Sequence, residues 1–201
     1  MPDVSLIGRE RELQALKAHL EGETSVVLLT GPAGVGKSTL AEVVAEEWTR
    51  GPIFICDLAA SMHAEDTLVR LSAALEVPAE GADIAQVLAK KAHTLLVIDG
   101  ADNALEHLST RLDSWRSEAP QSRVLITTRR RIPIPGSRHV ELAQMSERDA
   151  LELFEARAKR ARPGFEVSGA KTPILKDVIE RLDRMPEAIA LAADRMQVLS
   201  L

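Results

Sequence analysis

Apolar residues along the chain follow two different periods. Leu13, Leu16 and Leu20 recur at helical spacing and predict a first helix over 10–21, stopped by Gly22. Val26 to Thr30 is instead a short run without alternation, the pattern of a strand buried on both faces, as in a parallel sheet. Leu40, Val43, Val44 and Trp48 predict a helix from Ser38 to about Arg50, and Ile53 to Leu58 a second strand. Two amphipathic helices follow, over 64–75 (Leu68, Leu71, Leu75) and 82–92 (Ile84, Val87, Leu88), separated by Pro78 and Gly81. Thr94 to Ile98 predicts strand three, and Leu105, Leu108, Leu112 and Trp115 form one further helix stripe. Val124 to Thr128 predicts strand four, and His139 to Leu142 a weaker fifth. Strands alternating with helices in this way predict a doubly wound α/β fold with a parallel sheet of about five strands.

The pattern changes after Ala143. Ser146 with Asp149 three residues on makes a capping-box start, and Leu151, Phe154 and Ala158 share one helical face. Two more helices are predicted over 173–183 and 186–200, the second with Pro186 in its first turn, where a missing N–H costs nothing. Arg162 to Lys171, with Pro163, Gly164 and Gly169, reads as the loop between helices. The expected organisation is therefore an α/β domain over 1–144 and a small all-helical subdomain over 145–201.

Gly31-Pro32-Ala33-Gly34-Val35-Gly36-Lys37-Ser38 fits G-x-x-x-x-G-K-[ST] between a predicted strand and a predicted helix, the phosphate-loop pattern, and marks residues 1–144 as a nucleotide-binding domain. Glycines let successive backbone N–H groups turn inward around phosphate, and the helix start adds its positive dipole end. Lys37 is the candidate for the β and γ phosphates, Ser38 for a magnesium ion, and Thr39 for a further nucleotide contact. Leu95 to Asp99 ends a strand in a carboxylate, so Asp99 is the second magnesium candidate, directly or through water. Gly100 and Ala101 follow where a second acid often stands. That leaves Asp102 either as the nearest catalytic carboxylate or as the N-cap of the helix starting near Ala104, and it predicts slow hydrolysis. Thr127-Thr128-Arg129 closes strand four at the sheet edge where ligands of open α/β sheets bind. Arg129 is accordingly the candidate γ-phosphate sensor, with a solvated basic turn as the alternative that suits Arg130 and Arg131 better.

Charge and composition narrow the field. A net charge of -5 gives no chain-wide attraction for nucleic acid, and the basic stretch Arg129 to Arg131, with Arg138 nearby, is the best local candidate. With no Tyr, three Phe and two Trp, a base-stacking platform is not expected. No apolar run is long enough to cross a bilayer and the first residues do not resemble a secretory leader, so a cytoplasmic location is expected. The lone Cys56 lies in an apolar run and is expected in the core; the five histidines show no metal-ligand spacing.

In this order, these elements resemble the signal-transduction ATPases with numerous domains, in particular their NB-ARC or AP-ATPase branch. Ile7-Gly8-Arg9-Glu10 is similar to the entry motif of that group, which implies that Ile7 and Arg9 lie against the adenine. Leu95 to Asp102 is similar to its Walker B stretch, and Val124 to Arg129 to its arginine-bearing sensor strand. Leu182 to Ala193 resembles the G-L-P-L-A-I segment, whose proline packs on the base, which implies that role for Pro186; here Arg184 stands for the glycine and Glu187 for a leucine. The resemblance implies ATP or ADP with Mg2+, held between the α/β domain and the helical subdomain. Other protein domains, or self-association on ATP binding, are the implied partners. No counterpart of the family's winged helix is found in these residues, so a fragment or minimal member is expected. An ADP-holding scaffold without turnover and an AAA+ DNA-associated ATPase are the alternative expectations.

Overall fold

In a computed structural model, residues 6–61, 63–78, 83–167, 169 and 171–198 are described. The expected helix starting at residue 82 and the expected helix end at residue 200 both reach outside them. Five strands form one sheet: β1 (Val26–Thr30), β2 (Ile53–Asp57), β3 (Leu95–Asp99), β4 (Arg123–Thr128) and β5 (Arg138–Glu141). All pairings are parallel, in the order β2-β3-β4-β1-β5. The inner strands carry the apolar runs Val26–Leu29, Leu95–Ile98 and Val124–Ile126. β1 and β4 are buried throughout, whereas the edge strands β2 and β5 keep exposed positions. The fold is the α/β class expected.

Nine α-helices are described: α1 (Glu10–Glu21), α2 (Lys37–Glu46), α3 (Ala64–Ala74), α4 (Ile84–Lys90), α5 (Leu105–Ser109), α6 (Leu112–Glu118), α7 (Glu147–Ala161), α8 (Thr172–Arg181) and α9 (Pro186–Asp194). Two expectations need correction. The stripe Leu105 to Trp115 is two helices, not one, because Ser109 and Thr110 turn their hydroxyls back onto the carbonyls of Glu106 and His107, at 2.7 and 2.8 Å, in competition with the helical ladder. The helix expected to reach Arg50 stops at Glu46, and Trp48 donates its Nε1–H to His93 O at 3.3 Å.

The chain forms two compact units. The larger, Glu12–Gly31 with Lys37–Glu141, holds the sheet and a core that includes Leu28, Leu96, Ile98, Ile126 and Trp115. Cys56 lies in this core, where burial pushes its thiol up to about 11. Arg123, only 6% exposed, closes the end of α1 by donating to Leu20 O at 2.9 Å and Gly22 O at 2.8 Å. The smaller unit gathers the described residues of Met1–Arg11, Pro32–Gly36 and Leu142–Leu201. Its core joins Ile7, Leu153, Phe154, Phe165, Ile179 and Ile189. Ser146 caps α7 as expected, accepting the Asp149 N–H at 3.1 Å. Among the described residues no helix is long and apolar enough to cross a membrane.

Candidate functional site

Within the larger unit, the carboxyl ends of β1, β4 and β3 lie side by side, with β4 in the middle. This order decides which side chains meet. α2 begins at Lys37, directly after the glycine-rich loop, and Lys37 Nζ donates to Gly31 O at 2.9 Å. Desolvation by burial lowers the Lys37 ammonium pKa, helped by Arg129 and opposed by Asp102 and Asp99. Ser38 Oγ donates to Asp99 Oδ1 at 3.0 Å, so the two magnesium candidates touch. Thr39, next along α2, is half-buried.

Asp102 does not cap the following helix: α5 starts from Ala104 with no side-chain cap. Instead Asp102 accepts from Thr128 Oγ1 at 3.1 Å, from the Arg129 backbone N–H at 2.6 Å and from Arg129 Nε at 3.0 Å. Gly100 explains why no acid stands beside Asp99. Its φ is +70°, and a Cβ there would lie 2.9 Å from the Ala59 backbone. The basic stretch is compensated residue by residue. Arg130 Nη2 reaches Glu106 Oε1 at 2.6 Å and Arg131 Nη1 reaches Glu141 Oε2 at 3.3 Å.

The smaller unit contains Pro32, Ala33, Gly34, Val35 and Gly36 together with the entry segment and α7 to α9. Arg9 is 6% exposed, and its Nη2 donates to Val35 O at 3.1 Å and Ala143 O at 2.8 Å. Ile7 is 9% exposed and belongs to the helical core. Pro186 opens α9 as expected, and the next residue, Glu187, donates its N–H to Gly34 O at 3.1 Å. The Glu187 carboxylate reaches within 2.9 Å of where a Gly34 Cβ would stand. Arg184 adopts φ +51°, the left-handed conformation suited to the glycine it replaces. Its N–H donates to Ile179 O at 3.1 Å while that of Asp183 donates to Glu180 O at 2.9 Å, the paired bonds of a Schellman ending for α8.

Sequence reasoning did not single out Thr127 and Thr128 as separate contacts. Thr127 Oγ1 donates to Asp99 Oδ1 and accepts the Gly100 N–H at 2.8 Å, as Thr128 holds Asp102. The available signal was two hydroxyls ending an apolar strand, a pattern equally ordinary for β-structure. Glu187 was noted only as a departure from the family pattern, and its carbonyl partner in the glycine-rich loop has no local sequence signal.

These residues suit phosphate. Gly36 holds φ +96°, a backbone conformation that favours glycine in a loop of this kind, and the desolvated Lys37 ammonium favours an anionic partner. Sheet, loop and flanking residues define a P-loop NTPase. The family model for the NACHT domain matches residues 25–161, and the chain belongs to the NACHT domain family of STAND-class P-loop NTPases. Nucleotide binding is what that membership implies. An uncharacterized protein of Mycobacterium tuberculosis is 32% identical over 205 residues, which cover 98% of this chain and 52% of that protein. The chain thus spans about half the length of this relative and of its Mycobacterium bovis counterpart. Among solved structures, Cdc6p from Pyrobaculum aerophilum matches with a TM-score of 0.66 at 20% identity, over 94% of this chain and 60% of that one. A Signal Transduction ATPase with Numerous Domains carrying a tetratricopeptide repeat sensor, from Pyrococcus horikoshii, matches with a TM-score of 0.55 at 20% identity, over 97% and 30%. Both are likenesses of fold, and the family match is to the NACHT domain, which does not show the expected NB-ARC branch.

Proposed function

We propose that this chain binds ATP or ADP with Mg2+ and acts as a slowly hydrolysing signalling switch, of the NB-ARC kind within its class. The observation that carries this reading is the 3.0 Å contact of Ser38 Oγ with Asp99 Oδ1, Ser38 being the residue next to the desolvated Lys37. A hydroxyl and a carboxylate in contact at a phosphate loop are the two protein groups that a phosphate-bound magnesium ion needs. When bound, the ion would supply neutralisation of phosphate charge. Lys37 would hold the β and γ phosphates and Gly31 to Ser38 their backbone cradle, with Thr39 beside them. Ile7, Arg9 and Pro186 would line the base side, and other protein domains or a second copy would receive the signal.

Slow turnover follows from the acids. Gly100 leaves no room for a carboxylate beside Asp99, and both oxygens of Asp102 are engaged by Arg129. Asp102 would orient water, and Arg129 would meet the γ-phosphate, only after their mutual bond opens. The test is to denature purified protein, identify any released nucleotide by chromatography, and titrate ATP and ADP into stripped protein. Binding that Lys37→Ala abolishes is expected; no binding, or identical binding by the variant, overturns the proposal.

The same engagement of Asp102 favours a second reading, an ADP-holding scaffold without turnover. Phosphate release that Asp99→Asn abolishes excludes it. An AAA+ DNA-associated role has the Cdc6p fold likeness behind it, but the paired Arg129, Arg130 and Arg131 offer little uncompensated charge; salt-sensitive retention on DNA would favour it.

A further inference from the structure

Thr127 is a hydroxyl following the apolar run Val124 to Ile126, 1% exposed, and a buried hydroxyl is tolerated only when bonded. Its partners fix the direction of its proton. The Gly100 N–H can only donate, and it does so to Thr127 Oγ1 at 2.8 Å, so the threonine proton goes to Asp99 Oδ1. The adjoining Ala101 N–H donates to Thr127 O at 2.9 Å, which holds the turn after β3 on the same residue. Asp99 Oδ1 thereby accepts from both Ser38 and Thr127.

We infer that Thr127 is a positioning residue for magnesium: its hydroxyl, directed by the Gly100 amide, sets the orientation in which the Asp99 carboxylate meets the ion. This inference rests on the nucleotide and magnesium reading given above. It assigns to β4 a duty separate from that of Arg129, whose side chain bonds Asp102 instead. Groups that orient a metal-binding carboxylate typically change metal affinity by about 10- to 100-fold when removed.

The test uses a fluorescent ADP analogue with the full chain, titrating Mg2+ and repeating the measurement in EDTA. Thr127→Val keeps the shape and removes the hydroxyl. It is expected to raise the half-saturating Mg2+ concentration by about 10- to 100-fold while leaving affinity in EDTA unchanged. Thr127→Ser, which keeps the hydroxyl, is expected to restore the wild-type Mg2+ dependence. Should Thr127→Val fail to fold, Thr127→Cys, a weaker donor of similar size, takes its place and is expected to shift the Mg2+ requirement in the same direction. An unshifted Mg2+ requirement in the folded Val or Cys variant, or a Ser variant as impaired as either, overturns the inference while leaving the proposed function standing. Wild-type protein that binds no nucleotide overturns both.

Discussion

Asp102 and Arg129 hold each other at two points: the arginine backbone N–H reaches Oδ1 at 2.6 Å and its Nε reaches Oδ2 at 3.0 Å. The bond ties the turn after β3 to the end of β4. Burial by itself raises the Asp102 carboxyl pKa, but the Arg129 amide, the Thr128 hydroxyl and the Arg129 guanidinium outweigh it and hold it below the usual carboxylate range. A depressed carboxyl stabilises the fold above its unfolded pKa, about 3.9, and that contribution is lost as pH falls through the folded value. Wild type should therefore melt above Asp102→Asn by a constant margin from about pH 7 to pH 5, a margin that closes below about pH 4. Thermal melts across that range decide it; a margin unchanged at low pH removes Asp102 from this role.

Gly100 gives a prediction about catalysis as well as stability. Its φ of +70° and the Ala59 backbone 2.9 Å from a would-be Cβ leave no place for the acid that often follows a magnesium-binding aspartate. Gly100→Glu should lose at least about 1–2 kcal/mol from the left-handed backbone alone, and should not speed phosphate release. Urea denaturation and a phosphate-release assay check the two halves. A stable variant with faster release would mean that the turn rearranges freely.

The strands were legible because a parallel sheet demands uniformly apolar runs, and β1 to β5 each lie within a residue or so of the run that predicted them. Their order in space was not legible. The insertion of β4 between β1 and β3 brings Thr127 to Asp99 and Thr128 to Asp102, and it follows from pairings with no local signature. The loop itself was readable as a motif, since its chemistry is carried by adjacent residues. The break between α5 and α6 was hidden because Leu108 and Leu112 keep helical spacing across it. Arg184 illustrates the converse case. It departs from the family glycine in sequence, yet the chain still adopts the left-handed turn.

That turn should retain strain that glycine relieves. Arg184 sits at φ +51°, and its ion pair with Glu180, at 3.5 Å on a mostly exposed carboxylate, contributes little. Arg184→Gly should be more stable than Arg184→Ala by about 1 kcal/mol, since both remove the same side-chain contacts and only alanine keeps the Cβ penalty. Paired urea denaturation curves measure the difference. Equal midpoints would indicate that the Schellman ending of α8 re-forms without a left-handed residue at 184.

Arg9 distinguishes an action on the base from an action on the loop. The family resemblance implies an adenine-side residue, but in this chain Nη2 donates to Val35 O at 3.1 Å and Ala143 O at 2.8 Å, from a site only 6% exposed. A guanidinium bridging two backbone carbonyls, that of Val35 buried, fixes backbone, and Val35 lies in the middle of the phosphate loop. Lysine, a point charge, cannot reproduce the planar fork. Losing one such charge-assisted bond is worth about 1.5–3 kcal/mol, so Arg9→Lys should weaken binding by roughly 10- to 100-fold if loop order sets affinity. The discriminating ligand is pyrophosphate, which has no base. Equal losses for pyrophosphate and ADP in calorimetric titrations mean that Arg9 works through the loop. A loss confined to ADP returns it to the adenine, and the bonds to Val35 and Ala143 would then serve only to aim the side chain.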